Sequence, residues 1–120
     1  MTTYPINKNQ IIFSGMSAGG RMLIDFAFNN FVPMKGLILN CPVVPNNLNT
    51  DLIIQFIAKN KKIGIITGEY DFALNDQEYL INSINKHGGL NKLTINKDKG
   101  HEYTEEFPYL LDEYLTWMMK

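Results

Sequence analysis

Ser17 stands in the run Gly15-Met16-Ser17-Ala18-Gly19, between the apolar residues Ile11, Ile12 and Phe13 and an amphipathic stretch that begins near Arg21. That placement reads as a nucleophile elbow. A serine on a sharp strand-to-helix turn needs glycines on both sides, because Cβ atoms there would collide with their neighbours, and its hydroxyl is left exposed. The helix starting at about Ala18 aims its free N–H groups, and the positive end of its dipole, at negative charge that develops beside the serine. A hydroxyl is a poor nucleophile at neutral pH, so Ser17 needs a base, and an imidazole suits that task. The chain has two histidines. His87 sits at the end of an expected helix just before Gly88-Gly89, where a cation meets a helix C-terminus and a capping role fits. His101 follows a strand and Gly100 and is the expected base, the alternative being an ordinary loop histidine. The imidazole in turn needs a carboxylate to fix its tautomer and stabilise its protonated form. Asp71 closes the run Gly68-Glu69-Tyr70-Asp71, just past the carboxyl end of a strand, where ligands bind in open α/β sheets. Its alternative is a plain turn residue. Of the competing acids, Asp76 is placed to begin a helix and Asp98 is very close in sequence to the histidine; Asp25 reads as an exposed helix residue.

These side chains must be positioned by alternating strands and helices. Residues 10–14, 35–41, 62–67 and 92–96 are rich in Ile and Leu and bounded by Gly, Pro or Asn, and each is expected to be a strand. The first helix, 18–30, places Gly19, Met22, Leu23, Phe26 and Ala27 on one face, with Gly19 suited to close packing, and Arg21, Asp25 and Asn29 on the other. The second, 49–58, clusters Leu52, Ile53, Phe56 and Ile57. The third, 76–86, has Asn75 as its expected N-cap, with Glu78 three residues later and Gly88-Gly89 as its stop. The last begins near Pro108, with Leu111, Tyr114, Leu115 and Met118 as its buried stripe. Four strand-helix units imply an α/β fold: a mostly parallel sheet of about four strands with helices on both faces. Ser17, Asp71 and His101 then follow successive strands at the same edge of the sheet.

The first three strands are continuous apolar runs, as strands buried on both faces are, whereas 93–96 alternates as a partly exposed outer strand does. With sequential neighbours, strand 10–14 is the other edge, yet it carries none of the charges or prolines that blunt an edge. A partner chain or a second copy of this chain is expected to pair with it.

The composition excludes several classes. The chain has 120 residues, 45% hydrophobic content and a formal charge of -1, enough for one compact domain spanning 1–120. Its basic and acidic residues are interspersed, so no nucleic-acid partner is expected, and the dense patch of Lys59, Lys61 and Lys62 reads as a solvated helix end. Cys41 is alone in an apolar run and reads as a small buried core residue rather than a reactive thiol, and no metal site or cofactor is expected. The longest apolar run falls far short of the roughly 20 residues of a membrane span, and the first ten residues carry no signal-peptide core, so a cytoplasmic protein is expected.

The set Gly15-Met16-Ser17-Ala18-Gly19-Gly20, Gly68-Glu69-Tyr70-Asp71 and Gly100-His101, in that order and in those contexts, resembles the C-terminal half of the α/β-hydrolase family, and within it the carboxylesterase and phospholipase type with few insertions. The resemblance spans essentially the whole chain. It implies a serine esterase acting on a small-molecule ester, in which Ser17 attacks the carbonyl, His101 shuttles the proton, Asp71 orients His101 and water releases the acyl group. It also implies that the strands before the elbow are missing. The family's oxyanion hole uses the N–H after the nucleophile, here that of Ala18, and a second N–H from a loop in those earlier strands, which has no counterpart here. Residues 1–9 read as the tail of a connecting segment, which points to a fragment or to one half of a split protein.

The substrate is weakly specified. The stretch 42–60, where the family often carries a lid, is short. Val43, Val44, Leu48, Leu52 and Phe56 are candidates for an acyl pocket, although residues at helical spacing are more often core. Met16, Val43, Tyr70 and Phe72 are expected to contact substrate, and Glu69, Glu102 and Tyr103 flank the site.

Overall fold

The computed structural model describes residues 11–29 and 34–120. Its elements alternate as expected: β1 (Ile12–Met16), α1 (Ala18–Phe28), β2 (Gly36–Asn40), α2 (Thr50–Ala58), β3 (Lys62–Gly68), α3 (Leu74–Lys86), β4 (Leu90–Asn96) and α4 (Phe107–Met118). Gln10 and Asn30, the outer bounds expected for the first strand and helix, lie outside the described residues, as does the segment 1–9. The strands form one parallel sheet in the order β1-β2-β3-β4, with Gly15 opposite Leu39, Leu39 opposite Ile65 and Ile65 opposite Leu93.

The alternation of a strand sends successive side chains to opposite faces, so one strand feeds two cores. Leu37 and Leu39 of β2 and Ile63 and Ile65 of β3 meet α1, α2 and α3, where Ile24, Phe28, Phe56 and Ile84 are fully or almost fully buried. Ile38 and Ile66 point the other way, onto Tyr114 and Met118 of α4. The Tyr114 hydroxyl donates to the Ile65 carbonyl at 3.2 Å and lies 2.6 Å from Thr94 Oγ1, which pins α4 across β3 and β4. Strands β2 and β3 are buried along their whole lengths, and β4 is partly exposed, as its alternating pattern implies. The outer strand β1 is only half-buried, with Ser14 exposed, and so differs from the doubly buried strand its apolar run implies. No described helix is long and apolar enough to cross a membrane.

Several local expectations are corrected by long-range packing. Helix α1 buries Gly20, Ile24, Ala27 and Phe28, while Gly19 has open space beside it and Met22 is exposed. Two apolar stripes overlap on this helix, and the turn at Ser17 selects the one containing Gly20. Asp25 is partly buried rather than exposed. Helix α3 starts at Leu74, ahead of Asn75, because the Asp71 carboxylate accepts from the Ala73 N–H at 3.0 Å and organises the first turn. On α4, Leu115 is exposed and Trp117 packs edge-on against Tyr114 instead.

The lysine patch is a solvated helix end only at Lys59, the exposed residue that closes α2. Lys61 and Lys62 are buried, and Lys61 Nζ donates to the Ala27 carbonyl at the end of α1. Lys62 Nζ donates to the Trp117 and Met118 carbonyls at the end of α4. Terminal carbonyls of a helix lack intrahelical donors and carry the negative end of its dipole, which is what an ammonium satisfies. Burial, with Lys35 and Lys120 nearby, lowers the Lys62 pKa. His87 behaves as expected, closing α3 with its Nδ1 2.8 Å from the Ser83 carbonyl.

Candidate active site

Strand β1 ends at Met16, and the chain turns at Ser17 with φ 55° and ψ −120°, a left-handed conformation that an L-residue adopts only under constraint. The constraint is visible. Ser17 N–H donates to the Asn40 carbonyl of β2 at 3.3 Å, and its own carbonyl accepts from Arg21 and Val43 at 3.1 Å. A Cβ on Gly15 would stand 2.9 Å from Leu23 and 3.2 Å from the Gly19 backbone, and one on Gly20 would stand 2.8 Å from Pro42. The expectation of glycines on both sides is therefore right for Gly15, but on the helical side the crowded position is Gly20 rather than Gly19.

Asp71 follows β3 and His101 follows β4, and two backbone bonds stitch their loops together: Glu69 N–H to the Asn96 carbonyl and Tyr70 N–H to the Lys99 carbonyl, at 3.0 and 2.8 Å. The second loop passes directly over Gly68, where a Cβ would lie 2.3 Å from the Gly100 oxygen. Only a glycine allows that approach.

The result brings all three sequence-expected residues together. His101 Nε2 lies 2.9 Å from Ser17 Oγ, and His101 Nδ1 bonds to Asp71 Oδ1. The Asp71 carboxyl is fully buried, while the imidazole is 27% exposed and within reach of a ligand. In the tautomer that carries its hydrogen on Nδ1, that hydrogen meets Asp71 and Nε2 is the acceptor that faces Ser17 Oγ. The competing acids lie elsewhere: Asp76 is in the first turn of α3, and Asp98 is in the turn after β4, where its Oδ1 accepts from the Tyr70 hydroxyl at 3.4 Å. Ala18, first residue of α1, is exposed, and an N–H at this position has no intrahelical acceptor.

The four expected substrate contacts are placed unequally. Phe72 is 73% exposed and its ring centroid lies 4.7 Å from that of His101. Tyr70 is also exposed but reaches toward Asp98, while Met16 and Val43 are partly buried beside Ser17, Val43 through the backbone bond already noted. Phe56 is core, stacked on Phe28 at 4.4 Å, and Val44, Leu48 and Leu52 pack against the same cluster; Leu48 also lines a cleft with Tyr79 and His87, and Phe56 one with Gln55 and Lys59. A cavity of about 500 Å³ lies at the opposite end of the strands, lined by Lys35, Lys59, Lys62, Leu90 and Lys120 among others.

Three further residues support the site. Asn40 Nδ2 donates to the Glu102 carbonyl at 3.0 Å. Cys41, buried and with φ 48°, sets its Sγ 3.8 Å from the Gly100 carbonyl and 3.7 Å from that of Glu102. Gln77 bonds to Asp71. The sequence signals were polar residues in apolar settings: Asn40 at the end of an apolar strand, Gln77 on a helix stripe with Leu80, Ile81 and Ile84. Cys41 is buried as expected, and burial pushes its thiol above the ordinary pKa. Its Sγ lies within 4.8 Å of ligating atoms of Asp71 and His101, a proximity the sequence does not show. The donors are engaged with one another and with Ser17 and Thr67, and we assign no metal to them.

A parallel α/β sheet with a strand-turn-helix serine, a histidine and an aspartate at the carboxyl ends of its strands defines an α/β-hydrolase-like fold. No family model and no curated protein sequence matches the chain. Solved structures do. An uncharacterised protein from Bacillus cereus ATCC 10987 superposes with a TM-score of 0.81 at 20% identity, over 92% of this chain and 37% of that one. SOBER1 of Arabidopsis thaliana superposes with a TM-score of 0.77 at 16% identity, over 96% of this chain and 56% of that one. The Bacillus cereus carboxylesterase gives 0.72 at 20% identity, over 93% and 51%. The chain thus spans between about a third and just over half of the length of these structures, and what it shares with them is the fold.

Proposed function

We propose that the chain is a serine hydrolase of carboxylic esters. The observation that carries this reading is the pair of bonds on one imidazole, to Ser17 Oγ and to Asp71 Oδ1. Ser17 Oγ attacks the ester carbonyl carbon as His101 Nε2 takes its proton, and the buried Asp71 carboxylate stabilises the imidazolium. The negative charge on the carbonyl oxygen turns to the Ala18 N–H and the N-terminus of α1. His101 then protonates the departing alcohol, leaving an acyl group on Ser17. Water, deprotonated by the same nitrogen, attacks the acyl carbon and restores the serine. That one structural neighbour is a carboxylesterase supports an ester as the substrate. A fluorophosphonate probe is expected to label Ser17, and Ser17→Ala to abolish labelling; folded protein that resists the probe would overturn the reading.

A second reading is favoured by β1, the half-buried outer strand of the described sheet, which ends at the nucleophile. Here the chain is a catalytically incomplete hydrolase unit whose β1 edge accepts a strand from a partner chain or a second copy, and the partner completes the oxyanion hole. Loss of one oxyanion donor costs about 10²- to 10³-fold in rate. Slow labelling of the isolated chain, accelerated when association is seen by sedimentation, supports this reading. A fast-reacting chain that remains a monomer at high concentration excludes it.

A further inference from the structure

Gln77 is fully buried on the face of α3 that otherwise presents Leu80, Ile81 and Ile84 to the core. Burying an amide group without a partner costs about 1–3 kcal/mol; Oε1 is buried with no hydrogen-bond partner among the described residues, so what offsets the burial of this amide is the two bonds of its Nε2. Its Nε2 carries two hydrogens. One goes to Asp71 Oδ2 at 3.0 Å, the other to the Pro42 carbonyl at 2.9 Å. Pro42 precedes Val43, whose N–H donates to the Ser17 carbonyl. A single side chain therefore joins the loop that carries the acid to the loop that backs the nucleophile.

On the other side of the carboxylate, Oδ2 also accepts from Ala73 N–H, while Oδ1 faces His101. Rotation that would swing Oδ1 away from the imidazole must break the bonds to Oδ2. An amide suits this place chemically. A lysine or arginine would neutralise Asp71 and weaken its support of the imidazolium, and an ionised carboxylate has no hydrogen to donate. The amide donates twice and adds no charge. Other titratable groups around the pair are Cys41 at the end of β2 and the neighbouring glutamates, of which Glu102 turns its carboxylate to Gly100 N–H and Glu69 to Asp98 N–H.

We propose that Gln77 is a positioning residue: its amide locks the Asp71 carboxylate onto His101 and ties it to the Pro42 carbonyl behind Ser17. For its rate effects the proposal rests on Ser17 being the nucleophile. Two variants and one measurement on the native protein test it. Gln77→Met keeps the volume and removes both donors, and fluorophosphonate labelling is expected to slow about tenfold, the value of one hydrogen bond to a charged group. Gln77→Glu can donate to Asp71 only while protonated, so its labelling rate relative to native protein is expected to fall at least tenfold as pH rises through the titration of the introduced carboxyl group. The same ratio at every pH overturns the proposal, as does native labelling by both variants. In the native protein, the two Gln77 side-chain amide protons are expected by NMR to exchange slowly with solvent, held by the Asp71 carboxylate and the Pro42 carbonyl. Fast exchange of both also overturns it. This last measurement needs no turnover or variant, so it separates failure of the clamp from failure of the hydrolase reading.

Discussion

The Asn40 side chain donates to the Glu102 carbonyl across 3.0 Å, so the strand beside the nucleophile's own holds down the loop that carries His101. Asn40 is buried, and Asn40→Leu fills the space while leaving that carbonyl without its donor. The variant is expected to lose about 1–2 kcal/mol of stability by chemical denaturation. Its labelling by a fluorophosphonate should slow more than that of a stability-matched core variant such as Ile53→Val, since only the former releases the histidine loop.

Gly68 tests the same loop from below. In Gly68→Ala the new methyl meets the Lys99 and Gly100 carbonyl oxygens at 2.4 and 2.3 Å, and backbone must move. A displacement of about 1 Å at a reacting group costs on the order of 10²-fold in rate. Labelling of Ser17 is expected to fall by that factor in a protein whose circular dichroism is native, and an unchanged rate would show that the loop is free to shift without consequence.

The two histidines offer an internal control. His101→Ala removes the group beside Ser17 Oγ and is expected to reduce labelling about 10²- to 10⁴-fold. His87→Ala removes a side chain that closes α3 far along the chain from the serine, and should leave labelling unchanged. Equal effects from the two would refute the assignment of the base.

Tyr114 makes one contribution to the pH dependence of the fold. Burial, followed by smaller effects from Thr94 and Glu113, leaves its hydroxyl with a pKa pushed up to about 12 from an ordinary value of 10.0. Between these values the unfolded chain releases a proton that the folded chain retains, so the unfolded state is favoured as pH rises from 10 toward 12. The loss is about 2–3 kcal/mol at one pKa unit per 1.36 kcal/mol. Tyr114→Phe, which cannot ionise, is expected to lose less stability over that interval, and parallel curves for the two proteins would count against a buried neutral hydroxyl.

Much of this arrangement was legible in the sequence because it is local. A strand's carboxyl end, the glycine after it and the next polar residue are contiguous, so Ser17, Asp71 and His101 could be named from their own neighbourhoods, and parallel topology put them on one edge. What escaped is what distant segments decide. The roles of Lys61 and Lys62 depend on carbonyls of Ala27, Trp117 and Met118, and nothing near residues 59–62 indicates them. The packed face of α1 depends on Pro42 standing against Gly20. Asn75 has the chemistry of a cap, yet the N-cap place falls to Ala73, which makes no side-chain cap bond. Asn40 and Gln77 were visible as polar residues in apolar company, but their partners were not.

The span between Ser17 and His101, 84 residues, has a consequence for biogenesis. The serine is in place once β1 and α1 meet β2, but its base arrives only after β4 has joined the far side of the sheet. Under the proposed chemistry the hydroxyl meets its base only in a chain whose four strands have all paired. A reactive Ser17 therefore certifies a finished sheet, and a probe that reads it counts mature molecules rather than nascent ones.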